Sequence, residues 1–98
     1  MQEERKFFSV SEEEIEEICN LAEKAARRYV LSRCRKRDVI DLKIVVSSEI
    51  KDEITFNVDL EVQLSPLAKV EPEELAQRAA EKAIEKIEER LRDIAERT

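Results

Sequence analysis

The stretch "RRYVLSRCRKRD" holds the densest chemistry in the chain. Lys24, Arg27, Arg28, Arg33, Arg35, Lys36 and Arg37 follow one another with no acid among them. These seven belong to a total of 18 basic residues, which leaves 11 against all 24 acids elsewhere, in a protein of net charge −6. Guanidinium and ammonium groups at this density bind anions, either nucleic-acid phosphates or carboxylates on another protein. They also suit the last turn of a helix, whose unsatisfied carbonyls favour cations. One or two charges are enough for that, and Arg35, Lys36 and Arg37 fall at or past the end. Arg27, Arg28, Arg33, Arg35, Lys36 and Arg37 are therefore the candidate binding residues.

Nucleic-acid surfaces commonly pair such cations with stacking aromatics. Tyr29 is the one aromatic in the stretch, and its register places it on a buried stripe. No GXXG loop, aromatic-bearing sheet motif or zinc pattern accompanies the cations. Helix capping or docking on an acidic protein is the favoured reading. The alternative is an RNA- or ribosome-associated protein binding through residues 24–37.

Other chemistry has little to work with. The chain has no histidine, hence no imidazole acid, base or metal ligand, and no glycine for a phosphate-cradling loop. Asp41, Asp59 and Glu61 are carboxylates on one strand face, but an open, wet face offers no convergent site. Catalytic, metal-binding and cofactor-binding residues are all expected to be none, with no small-molecule substrate evident. Cys19 and Cys34 lie fifteen positions apart on one helix. At ~1.5 Å rise per residue their backbones stand roughly 22 Å apart, beyond the reach of a disulfide. Cys19 reads as a small core residue. Cys34 reads as a surface thiol whose neighbours Arg33, Arg35 and Lys36 would favour the thiolate.

The elements that must position these residues are marked by period. Over 11–34, Ile15, Ile18, Ala22, Ala25 and Tyr29 repeat at three and four, with Cys19, Ala26 and Val30 widening the stripe. Ser11 with Glu14 forms a capping box, and Val10 can staple onto Ile15. The period then changes to two. Ile40, Leu42, Ile44 and Val46 mark a strand over 38–48. Ile54, Phe56, Val58, Leu60, Val62 and Leu64 mark another over 54–65, with polar residues between them. The polar stretch "SEIKDE" predicts an antiparallel hairpin whose turn, lacking glycine, exceeds two residues. A last helix spans 71–97, with Pro72 at its first position and Val70 able to staple onto Leu75. Its stripe runs through Ala76, Ala79, Ala80, Ala83, Ile84, Ile87, Leu91 and Ile94, flanked by the pairs Glu74–Arg78, Glu88–Arg92 and Asp93–Arg97. Phe56, Val58 and Leu60 are expected at the core centre, facing Ile84 and Ile87.

Residues 1–98 thus read as a single domain of α+β class: a two-layer α-β-β-α arrangement with an antiparallel hairpin against two helices. The N-terminal segment 1–10 leaves two readings open. "RKFFSV" is a short first strand over 5–10, giving β-α-β-β-α, or Phe7 and Phe8 lid the core. Apolar residues make up 42% and charged residues 43%, which places the chain outside both the disordered and the membrane-spanning classes. "MQEERKFF" lacks the basic and apolar regions of a signal peptide, so a cytoplasmic protein is expected. Abundant Glu, Lys and Arg with no glycine resemble hyperthermophile usage.

"SRCRKRDVIDLKIVV", "FNVDLEVQLSP" and "ELAQRAAEKAIEKIEERL" together resemble a small archaeal family of unknown function, over roughly residues 11–95. Members of that family are often encoded beside the prefoldin beta subunit. The resemblance implies an archaeal protein in information processing or protein folding, and it assigns no site residues.

Two strands ~4.8 Å apart are narrow beneath two helices ~8–10 Å apart, and both sheet edges stay open. Apolar helix and sheet surface is left over for a second copy (a homodimer), a protein partner or the N-terminal segment. The expected outcome is that the chain is not a stable monomer: light scattering at micromolar concentration should give more than the chain mass, and a compact monomer would refute it and favour the N-terminal segment as the cover.

Overall fold

The computed structural model describes residues 10–97, so the two readings of segment 5–10 lie largely outside it. The elements are helix α1 (Glu12–Arg33), a 3₁₀ turn (Lys36–Asp38), strands β1 (Val39–Ile50) and β2 (Ile54–Leu64), and helix α2 (Pro72–Arg97). The hairpin lies against two helices, the expected α+β arrangement.

Helix α1 begins where the capping box puts it. The Glu14 amide donates to the Ser11 hydroxyl and the Ser11 amide donates to a Glu14 carboxylate oxygen, each at 3.1 Å. Two orphan donors of the first turn are thereby satisfied. The hydrogen bond from the Ser11 backbone, helped by Arg97, holds the Glu14 carboxyl below its ordinary pKa. At the other end the Cys34 amide donates to Val30 O at 3.2 Å, and extended backbone at Cys34 stops the helix. In α2, Pro72 occupies the first turn, where its missing N–H costs nothing, and Leu75 N–H bonds back to Glu71 O at 2.9 Å.

The helices run antiparallel, and two ion pairs tie the start of α1 to the end of α2. Arg97 reaches Glu14 and Arg90 reaches Glu17, both at 2.9 Å. Of the pairs expected along α2, Glu74–Arg78 forms at 4.0 Å. Asp93 and Arg97 do not meet. Arg97 turns to α1, and Asp93 takes Arg90 at 3.4 Å.

The buried line of α1 is Ile15, Ile18, Ala22, Ala26 and Val30; that of α2 is Leu75, Ala79, Ala83, Ile87 and Ile94. Ala25 and Tyr29, placed at the centre of the stripe by sequence, are half-buried at its margin. Ala22, Ala26, Ala79 and Ala83 are fully shielded within one core cluster. Such small side chains let two helices approach closely, because interaxial distance follows the residues at the contact. The narrow sheet beneath is reconciled with two helices in this way.

Strands β1 and β2 pair antiparallel from Ile50↔Ile54 to Val39↔Leu64. Their connection is Lys51, Asp52 and Glu53, closed by a Lys51 N–H to Glu53 O bond of 3.1 Å, with no positive φ among the described residues. Glu49 and Ile50, read as part of the turn, extend β1 beyond the expected 38–48. Another difference comes from a bulge. Val39 faces Leu64 and Asp41 faces Gln63, so Ile40 is an extra residue with no cross-strand partner. The simple alternation placed Ile40 inside, but it is 58% exposed, and Val39 packs on the core in its place.

The apolar face of β2 is half-buried along its whole length, and in β1 only Ile44 is buried. Phe56, Val58 and Leu60 therefore pack at the core margin rather than its centre. Ile87 is buried, as expected, but Ile84 is 46% exposed, because the alanine line of α2 turns one flank of the stripe outward. This grading sets a measurable order. Urea unfolding of Ile18→Ala should show a loss of about 2–5 kcal/mol, Leu60→Ala about half of that, and Asp59→Ala within ~0.5 kcal/mol. Equal losses for Leu60→Ala and Asp59→Ala would reverse the inside–outside register of β2.

Candidate functional site

Antiparallel helices joined through a hairpin bring two connections to the same end of a body 54 × 22 × 20 Å in extent. One runs from α1 through the 3₁₀ turn to β1. The other, residues 65–71, runs from β2 to α2. They are tied together by the Ser65 amide donating to Asp38 O at 2.8 Å. The basic stretch ends here.

Arg33, in the last turn of α1, and Arg35 and Arg37 beyond it line a cleft of about 580 Å³. The facing connection contributes Lys69, Leu67 and Val70. Among the described residues none of these four cations forms an ion pair, and Asp38 is the one acid in the wall. The cations are exposed, and of the four only Arg33 lies in the last turn of a helix, where its charge complements the dipole. A second cleft of about 520 Å³ adjoins it, sharing Arg33 and Lys69 and adding Tyr29 and Arg78. Tyr29 is only half-buried. It packs against the core and also borders this cleft, where its register in the sequence placed it on the buried stripe.

The six candidate residues are not all brought together. Arg33, Arg35 and Arg37 converge. Arg27 and Arg28 lie with Lys24, Leu31 and Ser32 around a shallow depression on α1, and Arg27 is held by Glu23 at 3.0 Å. Lys36 sits exposed on the 3₁₀ turn, outside the cleft wall. Sequence alone assigns Lys69 no role and Arg78 only its pair with Glu74, both being more than thirty positions from Arg37. The signal that could have found Lys69 is topological: the connection before the last helix must return to the end where the first helix finishes.

The thiols behave differently from the expectation for Cys34. Both cysteines are free and half-buried. The Cys34 thiol donates to Val30 O at 3.2 Å, and burial, aided by the Asp38 charge, raises its pKa. The arginines beside it point to solvent and do not stabilise a thiolate. Burial and Glu16 raise Cys19 likewise. Asp41, Asp59 and Glu61 stand exposed on the outer sheet face, with Glu61 opposite Lys43. Among the described residues no cluster of three His, Cys, Asp or Glu side chains could hold a metal, and no helix is long and apolar enough to cross a membrane.

The family model described as "Protein of unknown function (DUF3194)" matches residues 8–90. The chain belongs to this family. It is 34% identical over 88 residues to "Uncharacterized protein TK0644" of Thermococcus kodakarensis, covering 88% of this chain and 80% of that one. A crystal structure from Thermococcus onnurineus superposes with a TM-score of 0.79 at 26% identity, covering 90% of this chain and 85% of the other. The solution structure of the hypothetical protein mth677 from Methanothermobacter thermautotrophicus gives 0.75 at 23% identity, covering 85% and 90%; at that identity the likeness concerns the fold alone. The expectation of an archaeal family of unknown function agrees with these relatives.

The raised Cys34 pKa has a sign that can be checked. A group whose pKa is raised in the fold keeps its proton beyond the ordinary thiol range, so alkylation of Cys34 by iodoacetamide should be slower than that of free cysteine at pH 8. It should accelerate only as pH rises past that range. Arg35→Gln should leave the rate unchanged; a marked slowing would restore the arginines as thiolate stabilisers.

Proposed function

We propose that the chain is a non-enzymatic docking module, a complex subunit that recognises an acidic surface of a partner protein through its cationic end. One observation carries this reading: Arg33 at the end of α1, with Arg35, Arg37 and Lys69 from the two connections, lines one cleft where, among the described residues, none of the four is ion-paired and Asp38 is the one acid in the wall. Exposed cations that the fold leaves unpaired gain most from a partner's carboxylates, through charge-assisted and bidentate hydrogen bonds. Their excess over what a helix end needs supports the same reading. The setting proposed is the archaeal cytoplasm, in protein folding or information processing, with a homodimer formed through the half-covered apolar surface.

The second reading is RNA contact, and Tyr29 favours it. Its ring borders the cleft shared by Arg33, Lys69 and Arg78, where one base could stack. The two readings differ in salt response. Binding through several phosphates falls steeply as salt rises, whereas a protein contact with buried apolar area falls less.

Replacing Arg35, Lys36 and Arg37 together by Gln tests the proposal. Stability should change by less than about 1 kcal/mol, the scale of exposed dipole and surface-charge effects. In nuclease-treated archaeal extract the parent should retain an acidic partner that the triple variant loses. A triple variant that keeps every partner yet melts well below the parent would show that the charges serve the fold alone.

A further inference from the structure

Leu67 is 85% exposed, more than any other large apolar residue among those described, and it stands in the wall of the cationic cleft. Its position is built rather than incidental. Pro66 fixes the backbone before it, the Leu67 amide donates to the Ser65 hydroxyl at 3.1 Å, and the Ala68 amide donates to Ser65 O at 2.9 Å. A closed turn thus holds a leucine out into water beside four cations. Val70, half-buried against the core, gives the same wall an apolar base.

We infer that this cleft takes an extended acidic segment of a partner protein carrying an apolar side chain, its carboxylates on Arg33, Arg35, Arg37 and Lys69 and its apolar group on Leu67. The inference rests on the cationic end being a protein-docking site and adds what the partner must present. Charge complementarity selects the acids, since four cations face a single aspartate. Leu67 selects against a phosphate backbone, which has no group that gains from removing a leucine from water, whereas an apolar side chain does. The cleft selects shape. At about 580 Å³ it offers a groove with room for a few residues of an extended segment.

Fluorescence anisotropy with three labelled probes tests this: a Glu/Ser peptide with a central Leu, the same peptide with Gln in place of that Leu, and an oligouridylate. The parent should bind the leucine peptide about tenfold more tightly than its Gln counterpart. Leu67→Gln, at a site too exposed to matter to folding, should remove that difference and leave the weaker binding intact. Arg33→Gln with Arg35→Gln and Arg37→Gln should abolish both. Equal binding of the two peptides by the parent, or a leucine preference that survives Leu67→Gln, would overturn this inference and leave acidic docking standing. Binding of the oligouridylate alone, or of no probe, would overturn both.

Discussion

The close contact of α1 with α2 is the constraint on which the rest of the structure depends. Ala22, Ala26, Ala79 and Ala83 are completely shielded there, and the largest side chains buried as fully are only Ile18 and Val30. A hairpin of two strands offers too little width for helices held apart by large side chains. Alanines remove that conflict by shrinking the helical layer instead of widening the sheet. The consequence is a thin core with a graded margin: the β2 face stays half-buried, and Ile84 is turned toward solvent. Enlarging an alanine in this line would act on both layers at once, since overpacking would push the helices off the hairpin.

The same antiparallel contact arranges the charges. Acids crowd the start of α1, where they complement the helix dipole, and the end of α2 meets them with Arg90 and Arg97. Two ion pairs tie that end across the helices, although Arg90 Nε is buried there without a hydrogen-bond partner. At the opposite end the cations of α1 meet a connection that adds Lys69 rather than carboxylates, and the acids nearby are few: Asp38 in the first cleft, and Glu71 and Glu74 in the second. Glu74 is itself taken by Arg78. One pole thus has ion pairs across the helices, whereas at the other the cleft cations stay unpaired among the described residues.

Legibility in the sequence followed the range of the interaction. The capping box, the first turn of α2 and the period-two strands depend on neighbours within four residues, and all stand where their residues pointed. Ile40 did not, because an apolar residue inside an alternating run carries no local mark of a bulge; the slip is set by how β1 must align with β2. Ile84 failed for a related reason. Its spacing fits the α2 stripe, but which flank faces inward is decided by α1. For the site, the arginine run announced itself, whereas Lys69 and Leu67 are unremarkable residues until the chain returns them to Arg33. Cys34 shows the limit of reading charge from sequence. Adjacent cations do not set its pKa when they lean to solvent and the thiol is turned inward onto Val30 O.

The relatives sharpen what kind of object this is. Identities of 23% and 26% with TM-scores of 0.75 and 0.79 mean that most side chains can change while the element order holds. A fold so tolerant specifies little about role, which must then reside in side chains that the fold does not require. In this chain one end gathers four exposed cations of that kind around one cleft. The helix dipole accounts for Arg33, but not for Arg35, Arg37 or Lys69, and burial accounts for every large apolar residue of α2 except the exposed Ile84. Leu67 is accounted for by neither, since its turn is closed by backbone and Ser65 alone. Subtracting what folding uses therefore leaves, at this end, cations beside Leu67, the most exposed of several exposed large apolar residues among those described, a pairing that water alone gives no reason to keep.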